Sequence, residues 1–331
     1  MIKNIAKRVL PSFIQEAIRH YIMVQHRKTT YKKEQYNQTY QLIKDFAIIK
    51  EREATYKSSN ISFTAVQKQL IYKLSQNGLF LGDLKDYYSK SRELLEYLES
   101  LANKVKGKSL IEAEKLNLGF EEDYNNYSRG NFVNLYHPQK NLDDPIKDFL
   151  TDPAVFTMAA RYLGEIPQLM MVQFLFTPEN TLKPEGPMLW HLDRHHDSVF
   201  RMFINPYEMT KEHGATRAFP SKYHEYNYYQ TYPYFTDEQA VKNGFDLNDI
   251  VYLTGKPGKF GVVDTCKNFH CGSISKKERF VTIMTFVPYL FKGDYNADNL
   301  IGDRNVFRKE NAIIYEYFKT NSAVTEEIIN A

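Results

Sequence analysis

Up to about residue 105 the apolar positions of this chain recur at helical spacing, and beyond that they gather into runs. Ile2, Ile5, Val9, Phe13, Ile14, Ala17, Ile18, Tyr21 and Ile22 form a first stripe, interrupted only by Pro11. A second helical pattern runs from Glu34 to Arg52 and a third from Thr64 to Gln76, where Asn77-Gly78 ends it. A glycine just past the last periodic residue is a common helix stop. Leu84, Tyr87, Tyr88, Leu94, Leu95, Leu98 and Leu101 make a fourth stripe over residues 84–105. Stripes of this kind are the buried faces of amphipathic helices.

The second rhythm is that of strands. Residues 106–140 are mixed, with Gly107, Gly119, Gly130 and the polar run Glu121 to Ser128 pointing to loops and short strands. Two short helices follow, over 145–150 and 153–163, each with a proline in its first turn and an aspartate, Asp144 or Asp152, placed to cap it. Gly164 stands just past the second. Then come Leu169 to Thr177, apolar throughout except for Gln173, and Val199 to Asn205. Gly258 to Asp264 and Phe280 to Val287 read as strands on either side of a turn. A continuous apolar run suits a strand covered on both faces. Helical spacing returns only at Asn311 to Lys319. The expected division is therefore an N-terminal helical region, 1–105, and a β domain, 106–331.

With 331 residues, 43% of them hydrophobic, the chain can bury a sizeable core. A formal charge of +3 excludes any global demand for nucleic acid. The positive charge is concentrated early, with 12 Lys and Arg against 5 Asp and Glu over residues 1–60. The basic amphipathic pattern of residues 1–28 therefore has two readings, peripheral contact with an anionic membrane surface or a helix packed on the protein's own β domain. No apolar stretch approaches the roughly 18 residues of a membrane span. The N-terminus lacks a hydrophobic core followed by a cleavage site, so no secretory leader is expected. Two cysteines, Cys266 and Cys271, are expected to be free thiols in a reducing, cytoplasmic compartment rather than a disulfide.

The candidate chemistry lies in Trp190-His191-Leu192-Asp193. On an extended segment, residues two apart project to the same side, so His191 and Asp193 can share a ligand, and a distant His270 would complete a triad. Two His and one carboxylate can bind one face of a ferrous ion and leave its other positions open for oxygen and a co-substrate. Arg279, at the start of the last strand, could hold a dicarboxylate through a two-pronged charge-assisted bond. Arg194, His195, His196 and Asp197 follow the motif, but His residues so close on a strand cannot all face one ion. They are expected at the solvent or at a substrate. The segment Tyr223 to Phe235 is too rich in aromatics for a plain linker and reads as a lid or substrate wall, or as a loop packed on the helices.

Over roughly residues 140–290 the chain resembles the phytanoyl-CoA dioxygenase-like family of iron(II)- and 2-oxoglutarate-dependent oxygenases. The resemblance rests on Asp152-Pro153 to Gly164, Leu169 to Thr177, Trp190-His191-Leu192-Asp193, Gly214-Ala215-Thr216 leading into Pro220, and His270 to Arg279. It implies that His191, Asp193 and His270 are the iron ligands and Arg279 the partner of the far carboxylate of 2-oxoglutarate. Gln173, eighteen residues before His191, would touch the same co-substrate. The implied fold is a double-stranded β-helix, a jelly-roll, cupin-like barrel of about eight main strands with the N-terminal helices packed outside. The implied activity is an oxidation, hydroxylation first, of a small-molecule substrate by O2. Three alternatives stay open. A halogenase of the same fold is disfavoured by Asp193, since those enzymes carry a small residue there. A non-catalytic barrel could keep the pocket as a binding module. A membrane-surface oxygenase could act on a lipid-linked or sugar substrate.

Overall fold

The large sheet grows outward from strand β10 (Arg279–Val287), all nine residues of which are buried. It is seen in a computed structural model that describes residues 46–116, 127–129, 132–134, 144–179, 184, 186–193, 198–223, 234–289 and 307–322. Residues 1–45 lie outside these, and so do the expected N-terminal stripe, the start of the 34–52 helix, His195 and His196, and positions 224–233 of the aromatic segment.

In chain order the helices are α1 (Phe46–Ser58), α2 (Ala65–Asn77), α3 (Ser91–Val105), α4 (Leu110–Glu114), α5 (Asp144–Leu150), α6 (Pro153–Leu163), α7 (Asp237–Lys242) and α8 (Arg308–Thr320). The strands are β1 (Leu79–Asp83), β2 (Tyr127–Arg129), β3 (Phe132–Asn134), β4 (Gln168–Thr177), β5 (Phe200–Ile204), β6 (Arg217–Ala218), β7 (Val251–Tyr252), β8 (Lys259–Val263), β9 (His270–Cys271) and β10. Seven strands form the large sheet in the order β1-β8-β5-β10-β4-β3-β2, and β7-β6-β9 form a small one. The pairings are antiparallel.

Local signals explain most of the boundaries. Thr64 caps α2 in a reciprocal capping box with Gln67, and Gly78 ends it at φ 69. Only glycine suits that position, because a Cβ there would lie 1.9 Å from Asn268 Oδ1. Asp152 accepts from Ala154 N at 2.7 Å at the start of α6, with Pro153 in the first turn and Gly164 left-handed after the end. Asp144, expected as a cap, is instead the first residue of α5.

Period two then sorts the large sheet into two faces. Val172, Phe174, Phe176, Met202, Phe260, Val262, Phe280, Met284 and Phe286 pack with α2, α3 and α6 side chains such as Leu70, Leu98 and Phe156 in one core. The alternate residues Phe203, Val263, Val281 and Ile283 meet Ala218 and Leu253 of the small-sheet side. The expected β domain with helices packed outside it is met in a coarser form. The fold is a mixed helix-and-sheet one, and among the described residues the two antiparallel sheets meet through side chains rather than closing into a hydrogen-bonded barrel. The helix expected over 84–105 begins only at Ser91, after a single short turn at Leu84–Asp86. β1, not foreseen, precedes it and pairs with β8 as an edge of the large sheet.

Candidate metal centre

The two halves of the site are laid side by side by backbone pairing. Trp190 bridges to Phe235 and His191 to His270, both antiparallel. His191 N donates to His270 O, and His270 N to His191 O, at 3.0 Å each. Asp193 N donates to Thr265 O at 2.9 Å, so Asp193 is fixed to the same turn that leads into His270. Alternation does the rest. Trp190, Leu192, Phe269 and Cys271 go into an apolar cluster with Phe219, Phe235 and Phe245, which leaves His191, Asp193 and His270 on the opposite side.

There they converge. One ligand atom from each of His191, Asp193 and His270 lies within 4.8 Å of the others. His191 Nε2 is 4.0 Å from Asp193 Oδ1, and His270 Nε2 is 3.8 Å from Asp193 Oδ2. Each imidazole is oriented by its other nitrogen: His191 Nδ1 lies 2.8 Å from Leu189 O and His270 Nδ1 3.1 Å from Asn268 O. A carbonyl only accepts, so Nδ1 carries the proton and Nε2 turns its lone pair to the triad, as a metal-binding imidazole requires. Burial holds His270 neutral, aided by repulsion from His191, and pushes its pKa from 6.5 down to about 3. His191 is lowered too, again mainly by burial and against the pull of Asp193. Burial thus favours the neutral, ligating form of both imidazoles.

The supports of the triad are polar and buried. Asp264, fully buried, accepts from Tyr162 Oη and Ser198 Oγ at 2.6 Å, from Val199 N at 3.2 Å and from Cys266 N at 3.1 Å. One carboxylate therefore ties α6, the start of β5 and the turn before His270 together. Its bond to the amide two residues on is an Asx turn, the one local signal that could have marked Asp264 in advance. Arg201, on β5, donates from Nη1 to Asp193 Oδ2 and from Nε to Thr285 Oγ1 at 3.0 Å. Sequence reasoning missed it.

Arg279 is also buried, at the other end of β10 from Thr285. Its Nη1 donates to Gly214 O at 2.5 Å and Nη2 to Thr216 Oγ1 at 3.3 Å, while Nε is buried without a hydrogen-bond partner. Burial lowers its pKa to about 10, which still leaves it charged at neutral pH. Gln173 is half-buried on β4, paired with Ile283 of β10. It shares the inner face with Leu175, since Leu175 packs with Ile283 and Val281. Tyr234, an exposed residue beside the Trp190–Phe235 bridge, has its ring centroid 5.3 Å from that of His191. Cys266 and Cys271 are both buried free thiols. His213 makes a local bond to Thr210, 2.8 Å from Oγ1, and stands away from the triad in a turn.

No protein-family model matches this sequence, and no curated protein does. Solved structures do overlap it. SnoN, an epimerase in complex with Fe3+, alpha ketoglutarate and nogalamycin RO, is 11% identical over 67% of this chain and 84% of its own, with a TM-score of 0.43. EctD from S. alaskensis with 2-oxoglutarate and 5-hydroxyectoine is 19% identical over 69% of this chain and 78% of its own, with a TM-score of 0.45. ThoJ, a non-heme monooxygenase in its apo form, is 12% identical over 76% of this chain and 99% of its own, with a TM-score of 0.43. At such TM-scores the overlaps carry no weight of their own, and the chemistry of the site has to be argued from its residues.

Proposed function

We propose that this chain is an iron(II)- and 2-oxoglutarate-dependent dioxygenase that hydroxylates, or otherwise oxidises, a small molecule. The observation that carries the reading is the convergence of His191, Asp193 and His270, two neutral imidazoles and one carboxylate within 4.8 Å. That donor set suits a ferrous ion bound on one face. The fold reading that goes with it is a double-stranded β-helix, the large and small sheets being its two walls, β1 an added edge strand and the helices between 46 and 105 its outer scaffold.

The co-substrate has a matching place. A buried guanidinium with an unsatisfied Nε and no carboxylate bonded to it among the described residues is costly to keep. A dicarboxylate reaching in from the metal would satisfy Arg279 through charge-assisted bonds. Gln173, on the same interior face, is the further candidate contact. Iron with 2-oxoglutarate and O2 supplies the oxidising chemistry. The protein's share is position and exclusion of water: Leu189 O and Asn268 O hold the two imidazoles in the ligating tautomer, and the apolar interior of Phe203, Val281 and Ile283 keeps the space dry. Tyr234 offers the substrate a ring face with a hydroxyl tip, suited to a sugar or a ring-bearing molecule.

Anaerobic titration with iron(II) and 2-oxoglutarate tests the reading through the visible charge-transfer band of the chelate. The band is expected in the wild type and absent in Asp193→Ala, which loses the triad's carboxylate and with it substrate oxidation. A wild-type protein that gives no band sinks the proposal. A band without any coupled turnover would instead favour the binding-module reading. Whether residues 1–28 bring the enzyme to a membrane is a separate question for liposome flotation. Among the described residues no helix is long and apolar enough to cross a membrane.

A further inference from the structure

Arg201 is the one arginine in contact with the triad among the described residues, and its two bonds run in different directions. It lies on β5 next to Met202, whose side chain packs outward with the helices, so its own side chain faces inward. Nε is held by Thr285 of the neighbouring strand, directly opposite in register, and Nη1 is directed at Asp193 Oδ2. Arg201 is buried and Asp193 largely so: the Arg201 side chain is 8% exposed and that of Asp193 13%. A guanidinium taken this far from water needs an ionic partner.

The partner it has is the triad's carboxylate. An aspartate side chain rotates about its last bond and can ligate an ion through one oxygen or through both. A guanidinium on Oδ2 restricts both the rotation and the second mode.

Resting on the iron and 2-oxoglutarate reading above, we propose that Arg201 is a positioning residue of the metal centre. It holds Asp193 through Oδ2, so that the ion is bound through a single oxygen and its remaining positions stay available to co-substrate and oxygen. Thr285 is part of the device, because it fixes the guanidinium from behind.

The test uses the whole protein loaded anaerobically with Co(II) alone, whose visible absorption reports its coordination, and then with 2-oxoglutarate. Arg201→Met is expected to change the position and intensity of the Co(II) bands. It should also weaken Co(II) binding about tenfold or more, as loss of a residue that orients a ligand usually does, and 2-oxoglutarate binding by at least as much. Thr285→Val, nearly isosteric, should shift the same bands in the same direction by less. A Co(II) spectrum and affinity unchanged in folded Arg201→Met overturn the proposal. If that variant fails to fold, Thr285→Val decides alone, and an unchanged spectrum there overturns it. A wild type that takes up no Co(II) removes the metal-centre reading as well, whereas wild-type uptake with indifferent variants removes only the role of Arg201.

Discussion

On β10 the even positions Phe280, Met284 and Phe286 join the core shared with the helices, whereas the odd positions Arg279, Val281, Ile283 and Thr285 look into the space between the sheets. Every one of these residues is buried, so exposure does not distinguish the two faces. Chemistry does. The outer face is almost wholly apolar and gains from being removed from water. The inner face carries two arginines, Arg201 and Arg279, at its two ends with an apolar middle between them. Burying charge is unfavourable unless it is paired: Arg201 has Asp193, whereas Arg279 bonds only to Gly214 O and Thr216 Oγ1 among the described residues, and it is that end which the proposed function gives to a ligand. The same alternation recurs at Trp190 to Asp193, where Trp190 and Leu192 build a core and His191 and Asp193 build the centre.

The apolar face is the more sensitive to truncation. Phe286 is fully buried on the outer face, and truncating it leaves a cavity as well as lost transfer energy. Phe286→Ala is expected to lower unfolding free energy by about 3–5 kcal/mol, read from urea unfolding. Metal affinity per folded molecule should stay at the wild-type value. If metal binding is lost in protein that is still folded, the two faces are not independent and the division of labour fails.

How much of this could be read from the sequence follows the same line between local and distant information. The helix over Pro153–Leu163 was legible to its last residue, because its cap, first-turn proline and closing glycine are neighbours in the chain. So were β4 and β10, whose apolar runs are long enough to declare themselves, β8 from its place before a turn, and the spacing of His191 and Asp193, which needs only a period of two. β1 was not. It follows directly on the glycine that stops α2, and what makes it a strand is pairing with β8 far along the chain. Arg201 was hidden in Phe200-Arg201-Met202, where a charge between apolar residues reads as the solvent side of a half-exposed strand. Only the small sheet lying over that side turns it into an interior residue. Asp264 looked like a turn residue and is one, but its partners on α6 and before β5 are tertiary.

On the charged face the expected effect falls on the ligand more than on stability. Arg279→Met keeps the length and removes the charge. Relief of an uncompensated buried cation then offsets the loss of its bonds to Gly214 O and Thr216 Oγ1, so the midpoint of thermal unfolding should move by only a few degrees. The co-substrate should feel far more: a hydrogen bond to a charged group contributes roughly 1.5–3 kcal/mol, so the 2-oxoglutarate requirement is expected to rise on the order of 10- to 100-fold with Co(II) binding intact. An unchanged requirement, measured by titration of 2-oxoglutarate into metal-loaded protein, would remove Arg279 from the site and leave its burial unexplained.

The smallest effect is expected from Gly272, where the question is space and not charge. Its backbone needs no left-handed φ, so alanine is conformationally tolerated there. A Cβ would nonetheless stand 3.3 Å from Arg279 Nη1 and 3.6 Å from Met188 Cγ, on the very guanidinium that is to receive the co-substrate. If the ligand's far carboxylate approaches Arg279 past this glycine, Gly272→Ala crowds it, and affinity for 2-oxoglutarate should fall by a few-fold, under about 1.4 kcal/mol on the scale where that is one factor of ten. Stability and the Co(II) spectrum should not move, since the atoms nearest to that Cβ belong to Arg279 and Met188. An affinity equal to the wild type's, in a variant whose thermal unfolding is also unchanged, would show that the ligand reaches Arg279 from another side, with the path past Gln173 on β4 the next to test.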